Sequence, residues 1–140
     1  MRYLGLDLGS KTLGIAISDE SLMIASVLTT LRFSDDDYSA TLLPLKEIID
    51  TYGIQKIILG YPLNMNGTVG TRAEITLHFK EILEENFNIE VFMEDERLTS
   101  VISNQILISA DLSRKKRKKK VDGLAAQIIL QSFLDRKGGK

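Results

Sequence analysis

The residues of this sequence best suited to chemistry are carboxylates placed at the ends of apolar runs. Asp7 stands between two leucines in GLDLGSKTLGIAISDE (residues 5–20), Asp95 and Glu96 follow the run IEVFME, and Asp122 comes directly after RKKRKKK (114–120) and Val121. An acid inside an apolar strand costs on the order of several kcal/mol unless it is partnered. Each acid has an ordinary reading: Asp7 satisfied by backbone N–H groups, Asp95 or Glu96 opening a helix, Asp122 complementing a helix dipole. Taken together they form a set of oxygen donors, the kind that hard cations such as Mg²⁺ and Mn²⁺ prefer. Such a set serves in-line attack on a phosphodiester, in which two cations about 3.5–4 Å apart activate water and stabilise the leaving oxygen without a nucleophile from the protein. The absence of cysteine and the solitary His78, which reads as structural, are no obstacle to that chemistry.

The charge distribution points toward phosphate as well. Net charge is −1, yet seven of the eighteen Lys and Arg lie in one run: Arg114, Lys115, Lys116, Arg117, Lys118, Lys119 and Lys120. The other eleven stand against nineteen acids, so the rest of the chain carries −8. A compact cationic segment on an acidic body gains affinity for a polyanion by displacing counterions. With 140 residues, 44% hydrophobic and 26% charged, the chain has the size and composition of one globular domain spanning 1–140. No cysteine pattern for disulfides or thiolate metal sites exists, and no apolar run approaches the ~20 residues of a spanning helix. The expectation is a cytoplasmic protein with no membrane association, and MRYLGLDLG lacks the apolar stretch of a signal peptide.

Several elements must position these acids. Alternation predicts a strand at about 2–8, a Gly-Ser-Lys-Thr turn and a second strand at about 13–18, with a third strand in IASVLTTLRF (24–33). SDDDYSATLLPLKEIIDTYG (34–53) reads as a helix ending at Gly53, with Pro44 disturbing its start. QKIILG (55–60) is a fourth strand, 60–71 a Gly/Asn/Pro loop, 72–87 a helix and NIEVFMED (88–95) a fifth strand. Thr99 or Ser100 caps a helix through about 110, DLSRKKRKKK (111–120) is a polar connector, and 121–137 is a final amphipathic helix closed by Gly138 and Gly139. Three consecutive strands followed by strand–helix alternation imply an α/β domain with a mixed five-stranded sheet: an antiparallel meander joined to two parallel strands, helices on both faces. In such sheets, ligands bind beyond the carboxyl ends of the parallel strands.

Four stretches in order, GLDLGSKTLGIAISD, GYPLNMNGTVGTRAE, EDERLTS and KVDGLAAQIILQSFLD, closely resemble the YqgF/RuvX family over nearly the whole chain. That family is described both as Holliday-junction resolvases and as pre-16S ribosomal RNA nucleases. The resemblance implies a ribonuclease H-like fold and a divalent-metal-dependent nuclease, with Mg²⁺ or Mn²⁺ as cofactor and structured nucleic acid as partner: pre-rRNA, with or without a ribosomal precursor particle, or branched DNA. Its acidic positions fall on Asp7, Glu96 and Asp122. Alternation turns Asp95 and Glu96 opposite ways if the strand continues, and Glu96 is taken as the site residue. Gly9 would let the chain turn after Asp7 and bring Lys11 to a phosphate, Arg72 could reach the backbone of a nucleic acid, and Arg97 could hold a scissile phosphate or pair with a neighbouring carboxylate.

Two other classes compete. DLGSKTLGIAI resembles the phosphate-binding turn of the actin and sugar-kinase ATPases, which close two domains around ATP, whereas 140 residues supply one. A non-catalytic RNA-binding module would use the basic run alone. A junction resolvase cuts two strands symmetrically and works as a dimer, so a monomer would favour RNA as substrate.

Overall fold

The computed structural model describes residues 1–35, 37–64, 66–95 and 114–137, and the side chains of all of these except 114–122 and 137. The expected cap at Thr99 or Ser100 and its helix, the two glycines at 138 and 139, and Glu96 and Arg97 lie outside the described residues. Five strands, β1 (Arg2–Leu8), β2 (Thr12–Ser18), β3 (Ala25–Arg32), β4 (Ile54–Tyr61) and β5 (Glu90–Asp95), form one sheet in the order β3-β2-β1-β4-β5. The pairs β1/β2 and β2/β3 are antiparallel, and β1/β4 and β4/β5 are parallel. The expected mixed sheet, an antiparallel meander plus two parallel strands, is therefore the observed one.

Alternation divides each strand between two cores. Leu4, Leu6, Leu8, Leu13, Ile15, Ile57, Leu59 and Val91 face α1 (Leu42–Tyr52) and α2 (Thr71–Phe87), packing on Leu45, Ile49, Phe79 and Leu83. The opposite face carries Ala16, Ala25 and Ile58 against Ala126, Ile129, Leu130, Phe133 and Leu134 of α3 (Arg114–Lys137). Small residues set the approach of α3. A Cβ on Gly5 would lie 2.7 Å from Leu130 Cβ and 3.0 Å from the Ala126 carbonyl oxygen, and one on Gly123 would lie 2.8 Å from Val27 Cγ1. Glutamines then fasten α3 to the outer strand: Gln131 Oε1 accepts from the Ala25 N–H at 2.8 Å, Gln127 Nε2 donates to the Ala25 carbonyl at 2.9 Å, and Gln131 Nε2 donates to the Met23 carbonyl at 2.9 Å.

Two expected elements differ. The helix expected over 34–53 is a 3₁₀ turn, Tyr38–Thr41, followed by α1 from Leu42. Pro44 is the third residue of α1, where its missing N–H costs nothing because the first four donors of a helix have no partner within it. Asp37 accepts from the Ser39 hydroxyl at 2.8 Å, so that acid shapes the turn and opens no α-helix. The second correction concerns the basic run, expected as a connector: it forms the first two turns of α3, continuous with the amphipathic part. Lys and Arg are good helix formers, and their charge had masked that propensity.

Candidate active site

The site begins with Asp7, half-buried, the next-to-last residue of β1. Leu6 and Leu8 point into the α1/α2 core, so Asp7 shares the α3 face with Gly5. Its antiparallel partner on β2 is Gly14. On the other side, Leu6 pairs with Leu59, which brings Gly60 of β4 alongside Asp7. Cross-strand side chains normally stand about 4.5–5.5 Å apart. Here both neighbours lack one, so neither adjacent strand sets a side chain beside the carboxylate. The register gives Gly14 and Gly60 a joint effect that neither motif reveals singly.

The loop after β1 is held tightly. The Gly9 N–H donates to the Thr12 carbonyl at 2.8 Å, and a Cβ on Gly9 would lie 3.1 Å from Thr12 Oγ1. Among the described residues the glycines with positive φ are Gly53 and Gly67, so close approach and not left-handed backbone explains Gly9. Lys11 stays largely exposed, with Nζ 4.0 Å from Asp35. Arg72, in the first turn of α2, is turned toward the end of β1: Nη2 donates to the Leu8 carbonyl at 3.3 Å and Nη1 to the Tyr38 hydroxyl at 3.5 Å. Both cations thus flank the end of the strand that carries Asp7.

Asp122 lies one turn before Ala126, whose carbonyl faces Gly5. The contact of Gly123 with Val27, which the register puts level with Gly5 across β2, sets this part of the helix on the β3 side. On β5, Val91 and Met93 belong to the α1/α2 core and Asp95 follows them in alternation, exposed at the strand end. Among the described residues no group of three His, Asp or Glu is placed to hold a metal ion. Of the three acids expected to share a site, Asp7 is fully described, Glu96 lies outside the described residues, and Asp122 is described in its backbone alone. His78 is exposed on α2, its Nδ1 3.9 Å from Glu81, and takes no part.

One acid escaped the sequence reading. Glu94 pairs with Gly60 and therefore sits at the level of Asp7, two strands away on the same face, about 9.6 Å across at the usual strand spacing. It is 5% exposed. Arg136 Nη1 lies 2.6 Å from its Oε1 and 2.7 Å from its Oε2, and the Ser132 hydroxyl donates to Oε2 at 2.9 Å. Position two after Phe92 was the available signal, since Phe92 packs on the α3 face. Asp7 itself offers carboxylate oxygens, the donor type that hard divalent cations prefer.

Comparison with known proteins agrees with this architecture. The family model described as "RuvX: Holliday junction resolvase" matches residues 1–136. A protein of Geobacillus sp. (strain WCH70) named "Putative pre-16S rRNA nuclease" is 49% identical over 137 residues, covering 98% of this chain and 99% of that one. The protein of the same name from Bacillus subtilis (strain 168) is 49% identical over 135 residues, covering 96% and 98%. Among solved structures, Thermus thermophilus RuvC in complex with a Holliday junction substrate superposes with a TM-score of 0.61 at 13% identity, covering 99% of this chain and 97% of that one. The fowlpox virus resolvase bound to Holliday junction DNA gives 0.60 at 14% identity, covering 99% of both. The fold is thus that of the RuvC-type resolvases, the ribonuclease H-like arrangement.

Proposed function

Because this chain belongs to the RuvX family, we propose that it is a divalent-metal-dependent endonuclease that hydrolyses phosphodiesters of structured nucleic acid, its substrate being the 5′ precursor end of 16S ribosomal RNA. The observation that carries the reading is the half-buried carboxylate of Asp7 at the end of β1, set between Gly14 and Gly60 in the sheet. Side chains at those two positions would crowd a phosphate and its cation.

Asp7, Glu96 and Asp122 would hold the cation, Mg²⁺ or Mn²⁺. When bound, it supplies charge neutralisation at the phosphoryl oxygens and activation of water for in-line attack. The chain's own groups do the rest. Lys11 and Arg72 flank the end of β1 and hold the phosphate there, Arg97 serves the same end after β5, and the seven cations of α3 bind the nucleic-acid backbone next to Asp122. The whole of 1–140 acts as one nuclease domain in the cytoplasm, on naked pre-rRNA or on a ribosomal precursor particle. Among the described residues no helix is long and apolar enough to cross a membrane.

The test is a side-by-side cleavage assay with Mg²⁺ or Mn²⁺ on an RNA carrying the 5′ precursor region of small-subunit rRNA and on a synthetic four-way DNA junction. Cutting of the RNA that needs both metal and Asp7, and is lost in Asp7→Asn, is the expected result. Cutting of the junction alone would move the substrate to branched DNA. Tight RNA binding with no turnover would overturn the nuclease reading in favour of a binding module.

A further inference from the structure

We infer that Glu94, Arg136 and Ser132 form a positioning clamp that fixes the end of β5 against α3 and so sets the spacing of the carboxylates those two elements carry. The inference rests on the metal-nuclease reading above and assigns to it residues that make no contact with substrate.

The geometry is specific. Glu94 is buried beneath α3, one residue before Asp95 and two before Glu96. A single nitrogen of Arg136 sits between both of its carboxylate oxygens at 2.6 and 2.7 Å, and Ser132, one turn earlier on the same helix face, closes the arrangement at 2.9 Å. The Arg136 guanidinium also lies over the Phe133 ring, 5.5 Å from its centroid, which restricts its rotamers. Phe92 and Phe133 meet beside the clamp with ring centroids 5.4 Å apart.

Those aromatic contacts bring β5 and α3 together without fixing how far one slides along the other, because apolar contact is non-directional. Charge-assisted hydrogen bonds are short and directional, and they do fix it. Even a fully buried ion pair generally contributes little stability beyond what apolar residues of equal volume would give, and here the Arg136 side is partly exposed. Its distinctive effect is on geometry. Here the pair joins the strand that leads into Glu96 to the helix that carries Asp122, about four turns upstream of Arg136. Asp7, Gly60 and Glu94 share one level of the sheet, so the clamp pins β5 at the height where the carboxylates must converge.

The experiment is calorimetric titration with Mn²⁺ alone, without nucleic acid, of the wild type and of Asp7→Asn, Glu94→Gln, Arg136→Gln, Arg136→Lys and Gln131→Ala, with a thermal melt of each. Removing groups that orient metal ligands typically weakens metal binding about 10–100-fold. Wild type should take up Mn²⁺ in a manner that Asp7→Asn abolishes. Glu94→Gln and Arg136→Gln should raise Kd on the order of tenfold, and Arg136→Lys should recover most of the loss. Gln131→Ala removes its bonds to the Ala25 N–H and the Met23 carbonyl and should lower Tm while leaving Kd unchanged. Arg136 is more than half exposed, so its variants keep the test decisive if Glu94→Gln does not fold. Wild-type Kd in both Glu94→Gln and Arg136→Gln, with Tm alone lowered, would reduce the clamp to a plain cross-link and overturn the inference. Absence of Asp7-dependent Mn²⁺ uptake in the wild type would instead remove the carboxylate reading, and the clamp with it.

Discussion

Gly5→Ala tests the packing of α3 with a single methyl group. The added Cβ would lie 2.7 Å from Leu130 Cβ and 3.0 Å from the Ala126 carbonyl oxygen. Carbon atoms pack best at about 3.5–4.0 Å, so the helix must retreat by roughly 1 Å. Neither obstacle is the far end of a flexible side chain: one is backbone, the other the first atom of a buried leucine whose neighbours Ala126 and Ile129 are buried too. Insertion into a well-packed interior of this kind costs about 1–3 kcal/mol. A loss of ~2 kcal/mol corresponds to a fall in Tm of roughly 6–10 °C for a domain of this size. In urea, with m near 1–3 kcal/mol/M, the midpoint should drop by about 1 M. Both are measurable by circular dichroism on purified protein. Because position 122 lies one turn from Ala126, the retreat of α3 should also depress metal-dependent cleavage at temperatures where the variant is fully folded. A midpoint within about 0.2 M of wild type would refute the close packing of α3 on β1.

Two further outcomes follow from features on other parts of the molecule. Replacing Lys115, Lys116, Lys118 and Lys119 with glutamine should weaken RNA binding and reduce the slope of log affinity against log salt by up to about 3, and an unchanged slope would count against phosphate contact by this segment. Asp19, in the turn between β2 and β3, has its pKa lowered from 3.8 to about 2 by the Ile24 N–H, the Ser21 hydroxyl and the Met23 N–H, in that order. The folded state favours the charged form, so the stabilisation is complete above the ordinary value of 3.8 and is lost as pH falls through about 2. Carboxyl-carbon NMR should place its midpoint there, and Asp19→Asn should remove that part of the acid dependence of unfolding.

The first two strands were legible because Leu4, Leu6 and Leu8 alternate with Tyr3, Gly5 and Asp7, and because Leu13, Ile15 and Ile17 alternate with glycine, alanine and serine. Alternation also makes Asp7 conspicuous. What composition concealed was conformation in charged segments: the acids at 35–37 looked like a helix start and the basic run like a connector, yet local turn bonding decided the first and helix propensity the second. Glu94 was missed for a different reason. Its partners Ser132 and Arg136 are 38 and 42 residues away, and alternation from Phe92 gives its face without naming them. The paired glycines beside Asp7 were likewise invisible until register joined Gly14 and Gly60 across β1.

The glutamines that fasten α3 to β3 have a consequence for self-association. β3 is an outer strand, with Met23 and Ile24 just before it and Val27 within it all substantially exposed. An outer strand with apolar side chains is a template on which another chain can add a strand. Gln127 and Gln131 occupy both backbone groups of Ala25 and the Met23 carbonyl, the groups from which such a ladder would be nucleated at this end. At this end of β3 two amide side chains imitate the next strand, and an incoming chain must first displace them.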